Sequence, residues 1–334
     1  MRKFRHIDAH TVEEAVAALR RYQGNACIIG GGTDLLGKMK DEILPRYPEA
    51  LINIKTIPGL NGIWMEDGML RIGALTTLED IAESRLIKNR YPAIARAAGR
   101  TASPHLRSMG TIAGNLCQDI RCWYYRNPNN RFPCLRKGGG RCYAINGENR
   151  YHSIFGGSVE GGCYAVHPSD TAPALIVYDA EVVTSKRNIK LDELFLVDVE
   201  KTTVLDSDEI ITEIRVPEPP AGSRSAFLKL AIRKSIDFPI ANCAAMIAGA
   251  EGQVQTARIC LNSVYVKPYR AARAEEILRG KEISVEAAEA AGSAAVADAK
   301  PMEMNRYIVQ IARALVKKAI LACREVDSLQ GMMS

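Results

Sequence analysis

Ala26-Cys27-Ile28-Ile29-Gly30-Gly31-Gly32-Thr33-Asp34-Leu35 reads as a short buried strand ending in a glycine turn, and the organisation of the first part of the chain follows from it. Glycine adopts positive φ and carries no side chain, so three in succession let backbone N–H groups approach an anion such as a phosphate. The spacing does not fit GxGxxG, and no acidic residue stands about 20 residues on to meet a ribose, which argues against a Rossmann site. By itself, a tight structural turn accounts for these glycines equally well.

Before this strand, Thr11 predicts a helix cap completed by Glu14, with Val12, Ala15, Val16 and Leu19 on one face and an end near Tyr22. After it, strands are predicted over 50–54 and 69–75, then helix over 77–100 restarted by Pro92. From about 116 to 168 periodicity fails: Asn127-Pro128-Asn129-Asn130, Gly138-Gly139-Gly140 and Gly156-Gly157 break any regular element. An excursion of that length needs something to staple it. Helix over 172–178 and strands over 181–185 and 210–216 follow, and Pro217-Glu218-Pro219-Pro220 reads as a linker. The last region carries predicted strands over 226–233, 241–250 and 254–264 and helices over 285–299 and 305–325. In the final helix Ile308, Ile311, Ala312, Leu315 and Ala319 share one face, which is core packing.

At 334 residues, with 47% apolar and 25% charged, the chain is globular and large enough for two or three cores. No apolar run reaches the roughly 20 residues of a membrane span, and the opening Met1-Arg2-Lys3-Phe4-Arg5-His6 is no signal-peptide core, so a cytoplasmic protein is expected. Of nine cysteines, five (Cys117, Cys122, Cys134, Cys142, Cys163) crowd into the irregular segment, which favours a metal site over disulfides in that compartment. Thiolates in such a set bind iron–sulfur clusters or zinc; free buried thiols are the plainer alternative. No CxxC pair is present, which counts against zinc ribbons. Between Arg121 and Arg150 stand seven Lys or Arg against one acid, Glu148, so this window alone carries the net charge of +6. The balance elsewhere argues against nucleic-acid binding.

A second small-residue turn, Ser108-Met109-Gly110-Thr111-Ile112-Ala113-Gly114-Asn115, is placed to contact a diphosphate from the other side. With it, the ordered motifs Gly30-Gly31-Gly32-Thr33-Asp34-Leu35, Ile57-Pro58-Gly59-Leu60, Gly73-Ala74-Leu75-Thr76 and Gly110-Thr111-Ile112-Ala113-Gly114-Asn115 resemble the FAD-binding medium subunits of the xanthine oxidase, or molybdenum hydroxylase, family. Pro168-Ser169-Asp170-Thr171-Ala172-Pro173, Glu209-Ile210-Ile211-Thr212-Glu213-Ile214 and Phe227-Leu228-Lys229-Leu230 continue the likeness over nearly the whole chain. Gly30 stands where alanine is common, and Ala113 where glycine is common.

The resemblance implies an α+β protein: a two-subdomain FAD-binding unit of the p-cresol methylhydroxylase and vanillyl-alcohol oxidase type over 1–220, then a C-terminal α+β domain of the CO dehydrogenase flavoprotein type over 221–334. The subdomains would cover about 1–56 and 57–220. FAD would be held by Ile29, Gly30, Gly31, Gly32, Thr33, Asp34 and Leu35, by Ala102, and by Gly110, Thr111, Gly114 and Asn115, with Asp170, Ile211 and Lys229 nearer the flavin. No residue of this chain is expected to be catalytic in its own right.

Family members pass from the Gly-Asn turn to the Ser-Asp motif in about ten residues, whereas this chain takes more than fifty. The added segment, about 116–168, with Arg121-Cys122-Trp123-Tyr124-Tyr125, Cys134-Leu135-Arg136-Lys137-Gly138-Gly139, Cys142 and Cys163-Tyr164-Ala165, is similar to the insertion of the 4-hydroxybenzoyl-CoA reductase flavin subunit, which holds a 4Fe-4S cluster. By that likeness Cys122, Cys134, Cys142 and Cys163 are the ligands and Cys117 is not. Arg121, Arg136, Lys137 and Arg141 adjoin them and would offset cluster charge or attract a ferredoxin-like carrier, while Trp123, Tyr124 and Tyr125 would shield the cluster. The implied complex adds a large molybdenum-cofactor subunit and a small 2Fe-2S subunit, as a dimer of heterotrimers. The alternatives are the FAD subunit of a purine or aromatic-heterocycle hydroxylase and, in a different class, a zinc-stapled nucleic-acid-binding protein.

Overall fold

The computed structural model describes residues 1–158, 162–233, 236–250 and 252–324. Arg5–Asp8 (β1), Ala26–Ile29 (β2) and Ala50–Asn53 (β3) form a parallel sheet with β3 between the other two. Parallel neighbours need a crossover, and the helix Val12–Arg21 supplies it between β1 and β2. Thr11 caps that helix by accepting the Glu14 N–H at 3.1 Å, and the Glu14 carboxylate takes the His10 N–H at 2.7 Å. Such a cap stabilises by about 1 kcal/mol. β1 is mostly exposed and polar, so no alternating pattern announces it; pairing with the buried β3 makes it a strand.

Ile63–Glu66 (β4), Met69–Gly73 (β5), Glu181–Thr184 (β6), Asn188–Lys190 (β7) and Ile211–Pro217 (β8) build an antiparallel sheet in the order β4-β5-β8-β6-β7. Leu70, Ile72, Val182, Ile214 and Val216 of this sheet share one core with Ile81, Ile87, Ile94 and Leu175 from the helices around it. The helix expected over 77–100 is three: Leu78–Glu83, Arg85–Arg90 and Pro92–Gly99. Ser84 ends the first and caps the second by accepting the Ile87 N–H, and Pro92 sits in the first turn of the third, where its missing N–H costs nothing.

Arg224–Leu230 (β9), Ala241–Ala250 (β10), Gln253–Asn262 (β11) and Tyr269–Arg270 (β12) form a third, antiparallel sheet in the order β12-β11-β10-β9, backed by helices Val285–Ala295 and Arg306–Ala322. The helix Ala272–Leu278 was not expected. The final helix ends at Ala322; residue 325, its expected end, lies outside the described residues.

Beyond the end of helix Ile112–Leu116, the described residues of the segment over 116–168 hold two short 3-10 turns, Pro128–Asn130 and Leu135–Lys137, and isolated bridges from Arg121 to Val166 and from Phe155 to Lys300 as their regular structure. A small core of Ile120, Tyr125, Cys134, Cys163 and Ala165, closed by Val266, organises it. Hydrogen bonds from Ile154 N to Val264 O, from Lys300 N to Ile154 O, and from Asn305 Nδ2 to His152 O and Ser153 O tie it to the last region. Among the described residues, no helix is long and apolar enough to cross a membrane.

Candidate functional site

The glycine turn after β2 and the turn before helix Ile112–Leu116 meet backbone to backbone. A Cβ at Gly31 would lie 2.0 Å from Met109 O, so only glycine lets the two close, and Gly32 adopts φ +71. The second turn is latched from behind by Leu78 N to Gly110 O, Ile112 N to Thr76 O and Ala113 N to Ala74 O, all 2.9–3.1 Å. Thr111 Oγ1 accepts the Gly114 N–H at 3.2 Å. Between the turns lies a cavity of about 220 Å³, floored by Gly30 to Leu35 and Lys38 and walled by Thr111, Gly114, Cys117 and Gln118. Among the described residues the N–H groups of Gly31, Gly32 and Thr33 meet no protein acceptor. Free N–H groups beside a lysine suit a diphosphate.

A second cluster sits where the Ser169-Asp170-Thr171 motif meets the third sheet. The Ser169 and Thr171 hydroxyls donate to Asn115 Oδ1 at 2.5 and 2.6 Å, which joins this motif to the second glycine turn. Lys229 Nζ pairs with Asp170 Oδ2 at 2.6 Å and donates to Arg100 O at 2.9 Å, and both paired side chains are 3% exposed. Burial pushes the Asp170 carboxyl up, while Lys229 and the Asn242 amide, donating at 2.8 Å, act in the opposite direction. Asn262 Nδ2 donates to Ser169 O at 2.7 Å. The carbonyl oxygens of Asn242 and Asn262 are buried without a hydrogen-bond partner. Neither asparagine was expected; a lone amide inside an apolar strand was the signal available.

Of the expected FAD residues, Gly30 to Leu35, Thr111 and Gly114 therefore line one cavity. Ile29 and Gly110 flank it in sequence, while Asn115, Asp170 and Lys229 form the neighbouring buried cluster. Ala102, at φ +49, follows the Arg100 carbonyl that Lys229 holds, and Arg107 donates to its carbonyl at 3.4 Å. Ile211 opens β8 and is buried in the main core.

In the cysteine segment, Cys142 interacts electrostatically with each of Cys122, Cys134 and Cys163, and Cys122 also with Cys163. Cys117 is apart from them, beside the glycine cavity. Burial pushes the Cys122 thiol up to about 12 and raises Cys134 and Cys163 as well. Two cations face these thiols: Arg136 lowers Cys163, and Lys137 interacts with Cys134 and Cys122. Arg136 Nε and Lys137 Nζ are buried with no hydrogen-bond partner. Arg136 NH2 donates to Asp198 O at 3.0 Å and Lys137 lies over the Tyr125 ring at 5.3 Å, so one nitrogen of each remains to meet an anionic occupant. His152, fully buried and pushed down to about 4 by burial, places Nε2 3.2 Å from Cys122 Sγ.

The other two expected cations lie elsewhere. Arg121 stacks on the Phe238 ring at 3.8 Å and reaches Asp34, and Arg141 lies over Tyr143 at 4.6 Å. The expected aromatic shield is also redistributed. Trp123 is 58% exposed and stacks on Tyr151, because its neighbours Cys122 and Tyr125 take the inward positions, while Tyr125 is 5% exposed and packs in the core with Cys134 and Cys163. Among the described residues no three His, Cys, Asp or Glu side chains lie close enough to hold one metal ion. A zinc site needs all four sulfurs about 2.3 Å from a single ion, so this arrangement does not fit the zinc alternative.

Residues 2–219 match the family model for the FAD binding domain in molybdopterin dehydrogenase, and residues 226–323 match the CO dehydrogenase flavoprotein C-terminal domain. The chain is 33% identical to the aldehyde oxidoreductase FAD-binding subunit PaoB of Escherichia coli, over 97% of this chain and 99% of that one. It is 30% identical to the carbon monoxide dehydrogenase medium chain of Hydrogenophaga pseudoflava, over 96% of each. A solved carbon monoxide dehydrogenase structure from the same organism superposes with a TM-score of 0.76 at 29% identity, covering 96% of this chain and 97% of that one.

Proposed function

From the premise that this chain belongs to the molybdopterin dehydrogenase FAD-binding family and is the FAD subunit of a molybdenum hydroxylase-type oxidoreductase, we propose that it also carries a 4Fe-4S cluster on Cys122, Cys134, Cys142 and Cys163. When bound, these groups supply one- and two-electron transfer, and the subunit relays electrons between the cluster, FAD and the 2Fe-2S centres of a small partner subunit. The molybdenum cofactor and substrate pocket belong to a large partner subunit, in a dimer of heterotrimers.

The residues present divide the work. Gly31, Gly32 and Thr33 donate backbone N–H groups to the diphosphate, and Lys38 adds positive charge beside them. Thr111 and Gly114 form the opposite wall, while Asn115, Asp170 and Lys229 brace the flavin end through their buried hydrogen bonds. Arg136 and Lys137 offset thiolate charge, and Tyr125 keeps water from the sulfurs. The observation that carries the cluster assignment is that Cys122, Cys134 and Cys163 pack in one small core, with Cys142 close enough to act on each of them and Arg136 and Lys137 beside them. Replacing Cys122 and Cys134 together by serine removes four irons per subunit while FAD supplied in excess still binds. Iron content equal to the parent complex would refute the ligand assignment.

Two readings of the complex follow. The insertion favours a 4-hydroxybenzoyl-CoA reductase-like complex, with electrons entering at the cluster from a low-potential, ferredoxin-like donor. The similarity to PaoB over nearly the full chain favours an aldehyde-oxidising complex with electrons running outward. Mixing the anoxic complex with an aromatic aldehyde separates them: flavin bleaching supports the second, and bleaching only by a low-potential reductant supports the first.

A further inference from the structure

Asp34 belongs to the glycine loop, yet its carboxylate is held by the cysteine segment. Arg126 NH1 meets Oδ1 at 2.7 Å, Arg121 NH2 reaches the same oxygen at 3.4 Å, and the Asp119 N–H donates to Oδ2 at 3.0 Å. Arg126 is itself fixed, because its NH2 and Nε donate to Asp119 O and Ile120 O at 2.9 and 3.0 Å. Asp119 pairs with Lys38 at 3.2 Å and accepts the Tyr125 hydroxyl at 2.5 Å. The Tyr125 ring packs in the same small core as Cys134 and Cys163. A continuous buried network thus runs from the thiols to the loop whose N–H groups line the cavity.

None of its charged side chains is more than 30% exposed. Three cations against two carboxylates leave one positive charge, which a diphosphate in the cavity would offset. A buried ionic network is favourable only when complete, and removing one member leaves an uncompensated charge. We propose that Arg126 is a positioning residue for FAD: its pair with Asp34 makes the cysteine segment a clamp on the diphosphate loop, so FAD binding and cluster insertion strengthen each other. Only the second half of this statement rests on the cluster assigned above. Linkage requires the effect to be reciprocal.

The test uses the assembled complex, stripped of FAD and titrated with FAD while flavin fluorescence is followed. Arg126→Met and Asp34→Asn each weaken FAD binding roughly tenfold, within the range usual for coupled sites. Because the two groups act as a unit, the double variant is no weaker than the poorer single one. Arg126→Lys, which keeps the charge and loses the forked geometry, lies between parent and Arg126→Met, and it decides the matter if the methionine variant does not assemble. Parental affinity in Arg126→Met, or in Arg126→Lys where that variant decides, overturns the clamp, as does a fully additive double variant. For the cluster half, Cys134→Ser weakens FAD binding in the parent but not further in the Arg126→Met background. Normal iron in Cys134→Ser defeats the ligand assignment and leaves the Arg126–Asp34 cycle standing; iron loss with parental FAD affinity defeats the reciprocal coupling alone.

Discussion

The glycine cleft and the cysteine segment face each other across the Asp34–Arg126 pair, and they are built in opposite ways. The cleft is backbone: strand and helix ends bring N–H groups forward, and its side chains matter mainly by being absent, as at Gly31. The cysteine segment is side chain: almost without regular structure, it is organised by Tyr125, buried thiols and buried cations. A backbone site tolerates changes that keep φ and space, whereas a side-chain site fails when a charge loses its partner.

Gly31→Val gives the largest effect. Its branched side chain has to displace Met109 O, so the two turns separate, FAD is lost from the complex, and thermal unfolding shows a cost of about 3 kcal/mol. Iron content falls only in part, as the reciprocal coupling requires; iron lost completely with FAD would mean that the two regions are one unit. Next is acid sensitivity. Burial alone would raise the Asp34 carboxyl, but Arg126, Lys38 and Arg121 together hold it below its ordinary value. A depressed folded-state pKa contributes stability above the ordinary value of about 3.9 that is lost as pH falls through the folded one. FAD retention, read by gel filtration and absorbance, is therefore level from neutral pH to about 5 and drops below about 4, and Asp34→Asn removes that drop.

His152→Leu is narrower. Removing the ring nitrogen 3.2 Å from Cys122 Sγ, which would donate to a cluster-bound thiolate, lowers the midpoint potential of the cluster in a spectroscopic redox titration, while His152→Asn restores part of the shift and FAD content does not change. An unmoved potential would reduce His152 to packing. The smallest effect belongs to Trp123→Ala: the side chain is exposed, so stability changes by no more than about 0.5 kcal/mol and the loss of iron in air is not faster. Faster loss would restore Trp123 to the shield.

These contrasts explain what was legible. The two glycine turns stood out because close backbone approach and, at Gly32, positive φ leave few residue choices, while β10 stood out as a continuous apolar run and the helix around Ile308 by periodicity. β1, β7 and β12 did not, since short, polar or partly exposed strands exist only through the strand beside them. In the site, cysteine is rare enough to mark its own positions. Lys38, Asp119, Arg126 and His152 are not: each is an ordinary polar residue until the fold buries it against a particular partner.

The sequence by itself determined the order of the longer elements, the two glycine turns and the positions of the four thiols, because each depends on residue type and local spacing. The tertiary structure decided which cations face the thiols, which turn to the flavin loop, and that Asp34 is held from the far side of the insertion. Those choices join groups as distant in sequence as Asp34 and Arg126, and no local preference selects a partner that only folding brings within 2.7 Å.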